Sequence, residues 1–125
     1  MTRTIVIVDD EPGLRRLLVL MIRRDGRFEV VAEAGDGLAA LDAIGRHDPD
    51  LLLLDLGLPE LDGLEVLEQL ADRRRPATVV LTGFTDATTH EKARSLGAVD
   101  CLVKGTDFDR IVETLAAACS NEPRA

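Results

Sequence analysis

Short apolar runs, partly β-branched, alternate along this chain with stretches in which apolar residues recur every three or four positions. Thr4–Val8, Glu29–Ala32, Leu51–Leu54, Thr78–Leu81 and Cys101–Val103 have the length and composition of strands covered on both faces. Between the first two, Leu14, Leu17, Leu18, Met21 and Ile22 follow the i, i+3, i+4, i+7, i+8 spacing of one helical face, with Pro12 suited to the first turn. At 100° per residue that face turns Val19 and Leu20 away from the core and predicts an exposed apolar pair. Phe108, Ile111, Val112, Leu115, Ala116 and Cys119 repeat the spacing, preceded by Thr106 and Asp107 as candidate caps. Weaker stripes mark Leu38–Arg46, through Leu41 and Ile44, and Gly63–Asp72, through Leu64, Leu67 and Leu70. A last helix, about Ala87–Leu96, carries the poorest helix formers and is expected to be short. Five strands alternating with five helices predict an α/β fold: a parallel sheet with helices on both faces.

Composition bounds this picture without changing it. The 125 residues, 46% of them hydrophobic, suffice for one domain with its own core. Residues 120–125 are small and polar, include Pro123, and are expected to begin a linker or form a loose C-terminus after a domain spanning 1–119. A net charge of −8 opposes direct binding to a nucleic-acid backbone, and the lack of Trp and Tyr removes base-stacking platforms. The basic runs Arg15–Arg16, Arg23–Arg24 and Arg73–Arg75 read as solvated helix faces or ends. No apolar run reaches the length of a membrane span and Met1–Asp9 lacks signal-peptide organisation, so a soluble, cytoplasmic protein with no membrane contact is expected. Cys101 and Cys119 sit among apolar neighbours and lack metal-ligand spacing, so no disulfide is expected and Cys101 reads as a buried strand residue. His47 and His90 lie in polar surroundings without partner spacing and are given no chemical role.

The residues that follow the strands do change the picture. Asp9 and Asp10 follow the first, Asp55 the third, Thr82 the fourth and Lys104 the fifth. In a parallel α/β sheet all strand C-termini emerge at one edge, so these residues converge in one crevice. An acid before a helix often only caps it. Three clustered acids, however, repel by about 4 kcal/mol per pair at ~4 Å and an effective dielectric near 20, and therefore call for a cation. Hard oxygen ligands with room for water favour Mg²⁺. Phosphoryl transfer to a carboxylate needs a nucleophile, a metal and donors for the remaining oxygens. Asp55, the acids with Mg²⁺, and Thr82 with Lys104 can fill those roles in turn. Singly, Thr82 reads more simply as the end of a β-branched strand and Lys104 as a turn residue; it is their company with three strand-end acids that favours the phosphoryl roles.

Taken together, Asp9–Asp10–Glu11–Pro12, the run Leu53–Gly63, Leu81–Thr82–Gly83 and Gly97–Lys104 resemble a response-regulator receiver domain of two-component signalling, over Arg3 to about Cys119. The resemblance implies a doubly wound, flavodoxin-like fold with strand order 2-1-3-4-5. It implies Asp55 as the phosphoacceptor, a sensor histidine kinase as donor, and Thr82 and Lys104 as phosphoryl-binding and switch residues. It further implies Mg²⁺ held by Asp10, Asp55 and the Gly57 carbonyl, with Asp9 acting through water. Such a domain is no turnover enzyme but catalyses its own phosphorylation and dephosphorylation. Glycine at 105, with the stretch Gly26–Gly37, is most similar to the NarL/FixJ (LuxR-type) subfamily, which usually precedes a DNA-binding domain and so implies transcriptional control. The pair Val19 and Leu20 on the first helix reads either as ordinary scattered apolar exposure, the simpler reading, or as the contact of a homodimer formed on phosphorylation that would bring such outputs together.

Two positions depart from the family pattern. Cys101 stands where an aromatic switch residue is common, and Gly105 where proline usually follows the lysine. Without proline the Lys104–Gly105 peptide is expected to be trans. Three alternatives use parts of the same signal. A haloacid-dehalogenase-like phosphatase needs an acid/base Asp where Gly57 stands. A flavodoxin-like nucleotide binder would meet phosphate repulsion at Asp9–Glu11. A pseudo-receiver would keep the fold as an interaction module without phosphorylation.

Overall fold

Strands apolar on both sides can be covered only by helices above and below the sheet, and the chain is folded that way. The structure, a computed structural model, describes residues 2–120. In chain order the elements are β1 (Arg3–Val8), α1 (Pro12–Asp25), β2 (Phe28–Ala34), α2 (Gly37–His47), β3 (Leu51–Leu54), α3 (Gly63–Leu70), β4 (Ala77–Thr82), α4 (Ala87–Ser95), β5 (Asp100–Val103) and α5 (Phe108–Ser120). The five strands pair in parallel in the order β2-β1-β3-β4-β5, as expected. Strand β2 is the most extended relative to the sequence pattern, and α3 ends two residues early. Of the expected linker over 120–125, Ser120 closes α5 and the rest lies outside the described residues.

Successive strand residues face opposite sides, so the sheet feeds two cores. Ile5, Ile7, Leu51, Leu53, Val79 and Leu81 pack against α1 and α5 through Leu18, Val19, Ile22, Ile111 and Leu115. Val6, Val8, Leu52, Leu54 and Val80 pack against α2, α3 and α4 through Ala40, Ile44, Val66, Leu67 and Ala93. Burying each Leu, Ile or Val side chain contributes about 1.5–3 kcal/mol.

The face expected for α1 is corrected. Val19 is 0% exposed and belongs to the core, whereas Leu17 is 43% exposed beside Leu20 at 45%. The helix is apolar over more of its circumference than the sheet can cover. The sheet takes Leu18, Val19 and Ile22, leaving Leu14 and Met21 half-buried at the margin. Val19 is thus unavailable as the outer contact expected of it. Asp107 does cap α5, accepting the Arg110 N–H at 2.9 Å.

Candidate functional site

Strand order reverses across β1, which lies between β2 and β3, and this leaves a crevice beyond the strand ends. Register fills that crevice with charge. Val8 pairs with Leu54, and the Asp55 N–H donates to the Val8 carbonyl at 3.0 Å, so Asp9 and Asp55 emerge side by side. Both are nearly sealed, at 1% and 4% exposure, while Asp10 is exposed. One carboxylate oxygen from each of Asp9, Asp10 and Asp55 lies within 4.8 Å of the others. The N-cap of α1 is Glu11, not one of these acids, and the Asp9 carboxylate accepts the Glu11 N–H at 2.9 Å in the turn before the helix.

Lys104 enters from β5. Its backbone N–H donates to the Thr82 carbonyl at 2.8 Å, continuing the β4–β5 pairing past the strand. Its Nζ then lies 3.0 Å from Asp55 Oδ2, 3.2 Å from Asp9 Oδ2 and 2.9 Å from Glu11 Oε1. Burial disfavours the ammonium, but hydrogen bonds to Glu11 and Asp55 outweigh it and hold the Lys104 pKa above the ordinary lysine value. Asp9 moves the other way. Burial, aided by the Asp55 charge, raises its pKa, against the Glu11 N–H and Lys104, which lower it. One ammonium among Asp9, Asp10 and Asp55 leaves the cluster negative when all three are ionised. An all-oxygen donor set of that charge, open to water at Asp10, fits a hard divalent cation.

Thr82 and Gly57 are tied to residues of this cluster, Thr82 through its carbonyl to the Lys104 N–H and Gly57 through its N–H to Asp55. Thr82 is fully buried at the end of β4, its hydroxyl accepting the Phe84 N–H at 3.2 Å. Gly57 lies in the tight turn after Asp55, donating its N–H to Asp55 Oδ1 at 3.3 Å, while Leu58 N–H reaches the Leu56 carbonyl at 3.0 Å. That loop is pinned at its far end by a capping box between Asp62 and Glu65 at the start of α3. The Lys104–Gly105 peptide is trans, since the cis bond among the described residues is Arg75–Pro76. Cys101 is buried, and burial pushes its thiol pKa up. The expectation of a buried strand thiol holds.

Several neighbours carried no role in the sequence reading. Glu11 shares Lys104 with the acids; its position next to Asp10 was the available signal. Arg15, read as solvated, donates from Nη1 to the Asp9 backbone carbonyl at 2.8 Å. Helical side chains lean toward the N-terminus, so an arginine in the first turn of α1 can reach the loop before it. Phe84 is half exposed, and its ring comes within 3.8 Å of where a Gly57 Cβ would stand. His90 tethers the Phe84 carbonyl through Nε2 at 2.7 Å, a contact no local spacing signals.

Comparison with known proteins places this geometry. The family model described as the response regulator receiver domain matches residues 5–116. The transcriptional regulatory protein PdtaR of Mycobacterium tuberculosis is 36% identical over 118 residues, covering 94% of this chain and 57% of that protein. A protein-glutamate methylesterase/protein-glutamine glutaminase of Shewanella is 37% identical over 83% of this chain and 30% of its own length. The chain thus spans little more than half of one of these relatives and less than a third of the other. Among solved structures, the signal receiver domain of the response regulator NarL from Mycobacterium tuberculosis superposes with a TM-score of 0.90 at 29% identity, covering 95% of this chain and 97% of that one. A LuxR-family DNA-binding response regulator from Staphylococcus aureus gives 0.89 at 27% identity, covering 94% and 98%.

Proposed function

The chain belongs to the response-regulator receiver family, and we propose that it works as a switch in which Asp55 accepts a phosphoryl group from a sensor histidine kinase. The observation that carries this reading is the meeting of Asp9, Asp10, Asp55 and Lys104 at one sheet edge, with Thr82 joined to Lys104 through the backbone. An Asp55 carboxylate oxygen attacks the phosphorus; the new O–P bond forms as the donor's P–N bond breaks, and the imidazole nitrogen retains the electron pair and takes up a proton. Asp10, Asp55 and the Gly57 carbonyl, with Asp9 through water, are the residues that would hold Mg²⁺. Bound there, the ion neutralises charge on the phosphoryl oxygens.

The chain's own residues do the rest. Lys104 already carries its charge at Asp55 and supplies it to a phosphoryl oxygen, so little reorganisation accompanies transfer. The Thr82 hydroxyl donates to another phosphoryl oxygen, and its present partner, the Phe84 N–H, couples that event to the loop before α4. Water attack at phosphorus later restores the carboxylate, so the domain catalyses its own resetting without turning over a substrate. Residues 1–119 form the working unit, in the cytoplasm; no helix among the described residues is long and apolar enough to cross a membrane. The names of PdtaR and of the Staphylococcus aureus neighbour support transcriptional output, and phosphorylation-dependent homodimerisation is part of the same proposal.

Acetyl phosphate with Mg²⁺ tests the reading without a cognate kinase. Intact mass is expected to rise by one phosphoryl group in the wild type and to stay unchanged in Asp55→Asn. Equal labelling of the two proteins sinks the assignment of Asp55, and an unlabelled wild type favours the pseudo-receiver.

A further inference from the structure

We infer that Arg15 is a positioning residue for the metal-binding acids, holding the peptide that joins Asp9 to Asp10. The inference rests on the metal reading of that cluster. Arg15 lies three and four residues before Leu18 and Val19, so it shares the sheet-facing side of α1 and ends at the crevice. Its side chain is only 23% exposed. From there Nη1 donates to the Asp9 carbonyl at 2.8 Å, and Nε reaches Glu33 Oε1 on β2 at 3.3 Å.

The Asp9 carbonyl belongs to the peptide between the two acids. Upstream, the Asp9 N–H is fixed to the Ala34 carbonyl at 3.1 Å; within the residue, Oδ1 is fixed by the Glu11 N–H at 2.9 Å. Arg15 supplies the remaining hold, on the carbonyl itself. Without it the Asp9–Asp10 peptide plane can rotate, and that rotation swings the Cα–Cβ bond of Asp10. Asp10 is exposed, so packing does little to aim its carboxylate and the backbone must. Gly35 leaves the guanidinium uncrowded: a Cβ there would stand 3.0 Å from Arg15 Nη1 and push it aside by a few tenths of an ångström.

Electrostatics makes the inference falsifiable by sign. A guanidinium beside a divalent-cation site repels the cation, so if Arg15 acted only through its charge, removing it would tighten Mg²⁺ binding. If Arg15 acts by holding the peptide, removal weakens binding, and loss of a group that orients metal ligands typically costs 10–100-fold. The hold here is on the backbone and not on a ligand atom, which favours the lower end, about tenfold.

The experiment is a Mg²⁺ titration of the full chain followed by amide chemical shifts, since the sequence has no Trp to report by fluorescence. Urea midpoints without Mg²⁺ separate affinity from stability. Arg15→Gln is expected to bind about tenfold more weakly than wild type. Arg15→Lys, which keeps the charge and a donor, is expected to recover most of the loss. Gly35→Ala keeps the arginine but crowds it, and is expected to weaken binding by a smaller factor. Arg15→Gln binding as tightly as wild type, or more tightly, overturns the inference. A wild type without any Mg²⁺ response overturns instead the metal reading beneath it.

Discussion

Replacing Gly63 with alanine tests how tightly the start of α3 is packed beneath the proposed phosphoacceptor. A Cβ at Gly63 would run into the Asp55 backbone carbonyl and stand 2.6 Å from Leu56 Cα and 3.0 Å from Leu56 Cδ2. Carbon atoms rest about 3.5–4.0 Å apart, so the first turn of α3 has to withdraw by about 1 Å. The obstructing atoms are mostly backbone, which no rotamer change relieves. Withdrawal also strains the bond from the Gly63 N–H to the Leu56 carbonyl, now 2.9 Å. Overpacking costs about 1–3 kcal/mol and the weakened hydrogen bond about 1 kcal/mol. Alanine's advantage over glycine in a helix offsets about 0.5–1 kcal/mol. The net expectation is a loss of about 2 kcal/mol, or about 8 °C in Tm for a domain of this size.

Urea denaturation at constant m-value measures this directly, and Gly45 supplies the internal standard. It lies exposed in α2 with nothing within 4 Å of its would-be Cβ, so Gly45→Ala should stabilise by about 0.5–1 kcal/mol. A Gly63→Ala protein as stable as wild type, measured beside a stabilised Gly45→Ala, would refute the close packing. In the same samples the Asp55 and Gly57 amides should shift in Gly63→Ala alone, because the strain is delivered to the Asp55 carbonyl.

Three further outcomes are expected. Val19→Ala, in the core of α1, should lose about 1–3 kcal/mol, whereas Leu20→Ala should stay within about 0.5 kcal/mol of wild type; equal effects in urea melts would contradict the corrected helix face. Cys101 and Cys119 are both buried, so a thiol reagent should modify them only at the rate of opening; rapid labelling of native Cys101, located by peptide mass, would count against the packing of β5. Lys104→Gln leaves Asp9 and Asp55 without their ammonium and should cost about 1–3 kcal/mol without metal, below the 3–5 kcal/mol typical of a fully buried pair because Lys104 is partly exposed. Added Mg²⁺ should recover more stability in that variant than in wild type, and the absence of any loss in metal-free melts would show that Lys104 does not neutralise the cluster.

What the sequence disclosed and what it hid divide along physical lines. The crevice was legible because parallel topology turns a one-dimensional fact, which residue follows a strand, into a three-dimensional one. Asp9, Asp10, Asp55 and Lys104 needed no knowledge of side-chain packing to be brought together. The face of α1 was not legible, because apolar residues cover more of that helix than the sheet buries and periodicity alone cannot choose the arc; Val19 and Leu17 exchanged places for that reason. Arg15 was lost differently. Its neighbour Arg16 is a solvated residue, and the pair looked alike, yet only Arg15 sits on the side of the helix that faces Asp9.

The loop after Lys104 shows why a departure from the family pattern can leave the site intact. Gly105 adopts a φ of +101°, a conformation proline's ring forbids, so proline at this position would require a differently built loop. The chain closes the turn another way, with both the N–H and the hydroxyl of Thr106 bonded to the Val103 carbonyl, at 3.1 and 2.7 Å. Lys104 is therefore set from two sides: by the β4–β5 pairing that ends in its bond to Thr82, and by a turn whose anchor is the residue just before it. Neither depends on the identity of residue 105 beyond its freedom to take a positive φ. The same pairing carries Thr82 and Lys104 together, so a phosphoryl group that drew on both side chains would act on one rigid sheet edge. Motion would then have to appear beyond that edge, at the half-exposed Phe84, whose N–H bonds the Thr82 hydroxyl and whose carbonyl meets His90 Nε2.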